Sequence, residues 1–271
     1  MKSYVLLVVG LLFLTAAVSS VSAGPRDRDG GLLPDLRAVV PQHLNIQNQQ
    51  QREILRFSNG VANTGRGDWR MRPEPPPGVD TEVTTAVQEI LDAGRAVVRE
   101  EAVGTFEYHP AHNHWHIGDV ALFEVRKAKD DGRGGDIGGV FGNDRGASQS
   151  LKVSFCLIDV YKLEGNSNTK DREYWACETS YQGIQPGWAD QYHQATVGQQ
   201  LDITGAKEGV YYLVTTSNPS GVFLEADATN NTAWTSFELR RDSQGNPKIA
   251  LIDHSPCESP GMCGELSTNR G

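Results

Sequence analysis

Hydrophobic residues in this chain fall in short runs separated by turn residues. The runs at 53–57, 121–125, 152–158, 209–216 and 234–239 have the length and β-branched or aromatic content of strands. Segment 81–101 admits two readings. Val83, Val87, Ile90 and Leu91 fit helical spacing, whereas Asp92-Ala93-Gly94 suits the turn of a hairpin, which we favour. The proline cluster at 73–78 and the Gly/Asp-rich stretch at 130–146 are poor core material and are expected as surface loops. Short strands, long loops and little helix predict an all-β protein with a β-sandwich core.

The two ends of the chain stand apart from this pattern. Residues 1–23 combine Lys2, an apolar run of about 15 residues and the small residues Val21-Ser22-Ala23, the plan of a secretory signal peptide. A bilayer core asks for roughly 20 apolar residues, so the expectation is export, cleavage and a secreted, extracellular protein with no membrane attachment. Residues 24–32 are charged and glycine-rich and are expected to form an exposed leader. The folded domain is expected at 33–241, followed by a polar tail at 242–271.

Composition narrows the function. Hydrophobic residues make up 38% of the chain, enough for a real core, and the formal net charge of −9 argues against nucleic acid or an anionic membrane as partner. Four cysteines in an oxidising compartment suggest two disulfides. Spacing favours Cys156 with Cys177 and Cys257 with Cys263, although four cysteines allow three connectivities. Without a Cys-x-x-Cys, a thiolate zinc site has no support.

The densest chemistry is the run Tyr108-His109-Pro110-Ala111-His112-Asn113-His114-Trp115-His116, which holds four of the seven histidines. Positions i, i+2 and i+4 of a strand share one face, so His112, His114 and His116 are candidate ligands to a single ion. A fully extended strand would separate the outer pair by about 13 Å at Cα, so a bend or strand end is expected here. By parity His109 falls on the other face and is expected to support the site as a hydrogen-bonding partner rather than a ligand. Three imidazoles with an open position suit copper or zinc, and the divalent affinity order favours copper. A cupin-like site would want a Glu three or four residues after a His-x-His; Gly118 and Asp119 stand there.

The segment 107–116 resembles the copper-binding segment of the lysyl oxidase family. Further motifs follow the family in order: Leu33-Pro34-Asp35-Leu36, Leu55-Arg56-Phe57, Lys152-Val153-Ser154-Phe155-Cys156-Leu157, Gln182-Gly183-Ile184-Gln185-Pro186-Gly187, Asp202-Ile203-Thr204 and the stretch 227–231. The resemblance spans roughly 33–240 and implies a catalytic domain. It implies a lysine tyrosylquinone cofactor built from Lys152 and Tyr192, with Asp190 as the catalytic base. It also implies structural calcium held by Asp35, the Leu36 carbonyl, Glu225, Asp227, Asn230 and Asn231. Asn230-Asn231-Thr232 is also a glycosylation sequon, a role that a calcium ligand cannot share. The Cys156 and Cys177 pair is one the family also has. One departure is Ala111, where animal members carry a cysteine.

The implied activity is oxidative deamination of a primary amine, free or as a lysine side chain of a protein. Molecular oxygen is the co-substrate; the products are an aldehyde, ammonia and hydrogen peroxide. The alternative is a non-enzymatic exported copper-binding protein. A zinc hydrolase would instead rely on metal-bound hydroxide and carry no coloured cofactor.

Overall fold

The computed structural model describes residues 30–78, 81–110, 113–142, 150–164, 171–177 and 180–264, with the backbone alone at 150–152. The expected signal peptide and residues 24–29 of the leader lie outside the described residues. Strands dominate: β1 (Leu36–Ala38), β2 (Gln42–Gln49), β3 (Arg52–Asn63), β4 (Trp69–Glu74), β5 (Val83–Leu91), β6 (Val97–His109), β7 (His114–Ala128) and β8 (Ile137–Val140) form the first half. The second half contributes β9 (Ser150–Phe155), β10 (Tyr161–Lys162), β11 (Gln182–Ile184), β12 (Trp188–Tyr192), β13 (Gln200–Asp202), β14 (Gly209–Ser217), β15 (Thr232–Arg241) and β16 (Pro247–His254). A 3-10 turn at Pro260–Cys263 follows. The fold is all-β and sandwich-like, with almost no helix among the described residues, as the pattern of short apolar runs predicts.

Two sheets make the sandwich. One runs β1-β3-β12-β10, with β2 and β13 also paired to β3; the other runs β11-β4-β5-β6-β7-β14-β15-β16, with β8 and β9 paired to β7. β7 and β3 are long enough to hold several partners, and their inward side chains form the core. Phe57 of β3 meets Phe123 of β7 edge-on, ring centroids 5.0 Å apart at 87°. Leu55, Ile117, Phe155, Leu213 and Phe237 are sealed in the same cluster. Each large side chain so buried favours the fold by about 1.5–3 kcal/mol before the entropy of ordering it is counted.

Several expectations change in the folded chain. Segment 81–101 is indeed a hairpin: β5 and β6 pair antiparallel from Val83 with Glu107 to Leu91 with Val97, turning at 92–96. Segment 81–101 is therefore part of the central sheet. The strand expected over 152–158 stops at Phe155, because the next backbone is shaped around side chains. Asp159 accepts hydrogen bonds from the N–H groups of Glu173, Tyr174 and Gln185.

Within 130–146, residues 137–140 form β8 on β7, and Asp130 organises the preceding turn by accepting the N–H groups of Gly132, Gly134 and Asp136. Leu32, expected in an exposed leader, bridges to Leu91 and donates its N–H to that carbonyl at 2.8 Å. The tail, too, is structured in large part. β16 extends the larger sheet along β15, and the Pro260–Cys263 turn docks through Val40 N–H to the Met262 carbonyl and Tyr161 hydroxyl to the Gly261 carbonyl. Its sequence reads as polar because β16 is an edge strand with one face in water.

Candidate metal and amine site

The histidine run is a hairpin rather than one strand. β6 ends at His109, Asn113 takes a left-handed φ of 57°, and β7 starts at His114. The bend expected from the geometry of three imidazoles is thus present, while His112 lies outside the described residues. The register pairs His109 with His114 and Glu107 with His116, which puts His109 on the histidine face. Its assignment to the opposite face assumed a continuous strand; the turn resets the parity. Trp115, between the two β7 histidines, points into the core and stacks on Phe106.

The Nε2 atoms of His114 and His116 are 2.9 Å apart. That is a hydrogen-bonding distance, and it is also the spacing of two imidazoles on one ion. Bonds of about 2.0–2.1 Å at 90–109° hold their nitrogens about 2.9–3.3 Å apart. His116 is 3% exposed, its Nδ1 lies 3.3 Å from the Ser154 hydroxyl, and its ring stacks on His109 at 4.8 Å. A partner on the second ring nitrogen fixes which nitrogen is offered to a metal. His109 is thus a neighbour of His116, the supporting position expected of it rather than that of a ligand, whereas Ser154 is missed by a search for ligands alone. The signal for Ser154 is pairing across neighbouring strands.

A second group with ligand chemistry lies elsewhere. His254, Cys257 and Cys263 bring their ligand atoms within 4.8 Å of one another. The two cysteines are joined in a disulfide, as are Cys156 and Cys177, matching both expected pairings. Thiolate ligation by the first pair would require its reduction.

Lys152 is in β9, paired in register with Leu122 of β7; its side chain is outside the described residues. Asp190 and Tyr192 are on β12, two residues apart and so on one side of that strand. β12 comes close against β3 because position 60 is glycine: a Cβ there would sit 2.6 Å from the Asp190 carbonyl oxygen. The Tyr192 ring stacks on Phe155 at 4.3 Å and 16°, and its oxygen accepts the Cys156 N–H at 3.0 Å. Burial, with the Asp190 carboxyl a lesser cause, raises the Tyr192 phenol above its ordinary range.

Asp190 is 1% exposed, and its Oδ2 is buried without a hydrogen-bond partner. Burial pushes its carboxyl well above the carboxylate range, although the N–H groups of Gln191 and Ile158 favour the charged form. β9 thus touches both groups, with Ser154 against His116 and the adjacent Phe155 against Tyr192.

The expected calcium residues gather where the start of the domain meets the loop before β15. Glu225 accepts the Leu36 N–H at 3.1 Å and the side-chain amides of Asn218 and Asn231 at 2.5 and 2.8 Å. Asn230 donates its amide to both Asp35 carboxylate oxygens at 3.1 and 3.2 Å. Asp227 accepts from Thr229 instead, through its N–H and hydroxyl. The Oδ1 atoms of Asn230 and Asn231 are buried without partners. Burial raises the Glu225 carboxyl, and nearby Asp35 adds to the effect. Crowded carboxylates beside unpartnered amide oxygens are a donor set that suits a hard cation.

The larger sheet of the sandwich carries the histidine-bearing hairpin, and the smaller one carries the buried carboxylate and the tyrosine. The family model for lysyl oxidase matches residues 83–245, more than half of the chain, and the chain belongs to that family. Lysyl oxidase homolog 1 of Homo sapiens is 32% identical over 127 residues, 47% of this chain and 19% of the relative. Protein-lysine 6-oxidase of Homo sapiens is 30% identical over 128 residues, 47% of this chain and 26% of the relative. Lysyl oxidase homolog 3B of Danio rerio is 28% identical over 181 residues, 66% of this chain and 17% of the relative. The matched stretch thus spans about a quarter or less of these relatives. Among the described residues, no helix is long and apolar enough to cross a membrane.

Proposed function

We propose that this protein is a secreted copper-dependent amine oxidase. It would convert a primary amine, free or as a protein lysine side chain, with oxygen and water into an aldehyde, ammonia and hydrogen peroxide. His112, His114 and His116 would hold the copper, and Lys152 and Tyr192 would join as lysine tyrosylquinone. The observation that carries the reading is the 2.9 Å approach of the His114 and His116 nitrogens on the strand that pairs with Lys152's strand. The name of the relative protein-lysine 6-oxidase points to lysine as substrate.

Lys152 and Tyr192 would form the quinone, which would supply an electrophilic carbonyl for a primary amine. Asp190 would be the proton acceptor at the substrate α-carbon: burial raises its carboxyl well above the usual carboxylate range, which makes it a stronger base in its ionised form. Phe155 covers one face of the Tyr192 ring and keeps water from it. Asp35, Leu36, Glu225, Asp227, Asn230 and Asn231 would hold calcium and tie the first strand to the loop before β15.

A second reading, a copper-binding protein that never matures the quinone, has one observation in its favour. The Tyr192 oxygen is engaged with the Cys156 backbone rather than with a histidine. The test is mass spectrometry of copper-loaded, aerated protein treated with phenylhydrazine. The oxidase reading expects the Lys152 and Tyr192 peptides joined and carrying the hydrazone, and expects Lys152→Arg to bind copper yet release no peroxide. Two separate, unmodified peptides would favour the second reading.

A further inference from the structure

Tyr192 has buried polar neighbours that lack partners among the described residues. β3 and β12 pair antiparallel with Asn59 directly opposite Tyr192 and Val61 opposite Asp190. Side chains of directly opposed residues stand on one face of a sheet, their Cβ atoms about 4.5–5.5 Å apart. Here it is the inner face, since Phe57 and Val61, two residues either side of Asn59, belong to the core and Tyr192 packs against it. Asn59 is 2% exposed, and neither its amide nitrogen nor its amide oxygen has a hydrogen-bond partner. Gln199 extends the stripe. Its carbonyl oxygen lies 3.5 Å from the Phe57 nitrogen, and its side-chain Oε1 is likewise buried and unpartnered.

A buried amide normally finds partners for both its donor and its acceptor, because either one left unmet forfeits the hydrogen bonds it made with water. Asn63, four residues along the same strand, does so. Its nitrogen donates to the Gly67 and Ile184 carbonyls, and its oxygen accepts the Asp35 and Gly65 N–H groups. Nor does the phenol of Tyr192 call for the Asn59 amide, since its oxygen is engaged with the Cys156 backbone. An asparagine amide ends alongside the ring of an opposed tyrosine, short of the hydroxyl, where tyrosine offers only C–H.

Resting on the amine-oxidase reading, we propose that Asn59 is a positioning residue for the cofactor ring. A tyrosine ring is unchanged by a half-turn about its Cβ–Cγ bond. A quinone ring is not, because it carries a further oxygen on one edge. Stacking on Phe155 fixes the plane of the ring but not which edge faces which way. The Asn59 amide donates to the added oxygen, selects one of the two half-turns, and leaves the opposite edge for Lys152 to join.

The test uses the full chain, copper-loaded and aerated, as wild type, Asn59→Leu and Asn59→Gln. After phenylhydrazine treatment, peptide mass spectrometry reads the fraction of hydrazone-bearing Tyr192 peptide that is joined to Lys152. Loss of one hydrogen bond in Asn59→Leu is expected to lower that fraction about two- to tenfold. Asn59→Gln, which keeps an amide, is expected to retain it. Under argon, where Tyr192 stays a tyrosine, Asn59→Leu is expected to melt about 2–4 °C above wild type, because an unmet polar group gives way to an apolar one of similar shape. An amide needed only for packing would lower the melting temperature and leave the joined fraction unchanged.

An unchanged fraction in Asn59→Leu would overturn the proposal, and so would a fall that Asn59→Gln shares. Should Asn59→Leu fail to fold, Asn59→Ala carries the same expectation for the joined fraction, and an unchanged value there counts equally against it. Absence of any hydrazone on Tyr192 in wild type would overturn the oxidase reading and the proposal together. Hydrazone in all variants with one common joined fraction would overturn the proposal alone.

Discussion

The rings of Phe155 and Tyr192 lie stacked, 4.3 Å apart and within 16° of parallel, while Ser154, one residue earlier, faces His116. One strand thereby sets both the tyrosine and the histidine. Phe155→Leu keeps an apolar side chain but removes the stacking face. It is expected to cost about 1–2 kcal/mol, seen as a lower denaturation midpoint, and to reduce the yield of joined Lys152–Tyr192 peptide. The stability loss with an unchanged yield would reduce the stack to core packing.

Asp190 sits buried with Oδ2 unpartnered and its carboxyl held well above the usual range. The fold therefore favours the neutral group and is penalised by the charged one. Asp190→Asn is expected to raise the melting temperature at neutral pH and to abolish amine-dependent peroxide release while leaving copper content unchanged. Retained turnover would remove Asp190 from the base role.

Asp159 extends the argument to pH. Burial raises its carboxyl from 3.8 to about 6, outweighing the three backbone N–H donors that favour the charge. The folded protein keeps a proton that the unfolded chain releases over this window. Its contribution to stability is therefore full below about pH 4 and is lost as pH rises through about 6. Urea unfolding of the Asp190→Asn protein between pH 4 and 8, where the second buried carboxyl no longer contributes, should show this decline. Stability that rises across the window would contradict it.

The domain's first strand and the loop before β15 meet through Glu225, Asp35 and Asn230. If calcium is held there, adding it at a hundred times its dissociation constant stabilises by about 2.7 kcal/mol. That is a rise of about 5–10 °C in melting temperature for a domain of this size. Chelation is expected to reverse it, and Glu225→Gln to remove the response. Equal melting in calcium and in chelator would take the ion out of the account.

Local sequence determined the class of fold. Alternating apolar residues, Asp92-Ala93-Gly94 between two runs and cysteines at short separation all act through neighbouring residues, so strands, the β5–β6 hairpin and both disulfides are legible without coordinates. The candidate ligands were legible for the same reason, since His114 and His116 share a strand face by spacing alone.

What the tertiary structure decided depends on pairing between distant segments. His109 joined the histidine face because a turn, not visible in parity, restarted the strand. Residues 247–254 became an edge strand because β15 offered an unpaired side, and a polar sequence suits a strand with one face in water. The facing of Asn59 and Tyr192 required β3 and β12 to lie side by side in a fixed register. Whether a carboxyl such as Asp190 is buried is likewise fixed by what packs over it, here by strands far apart in the chain.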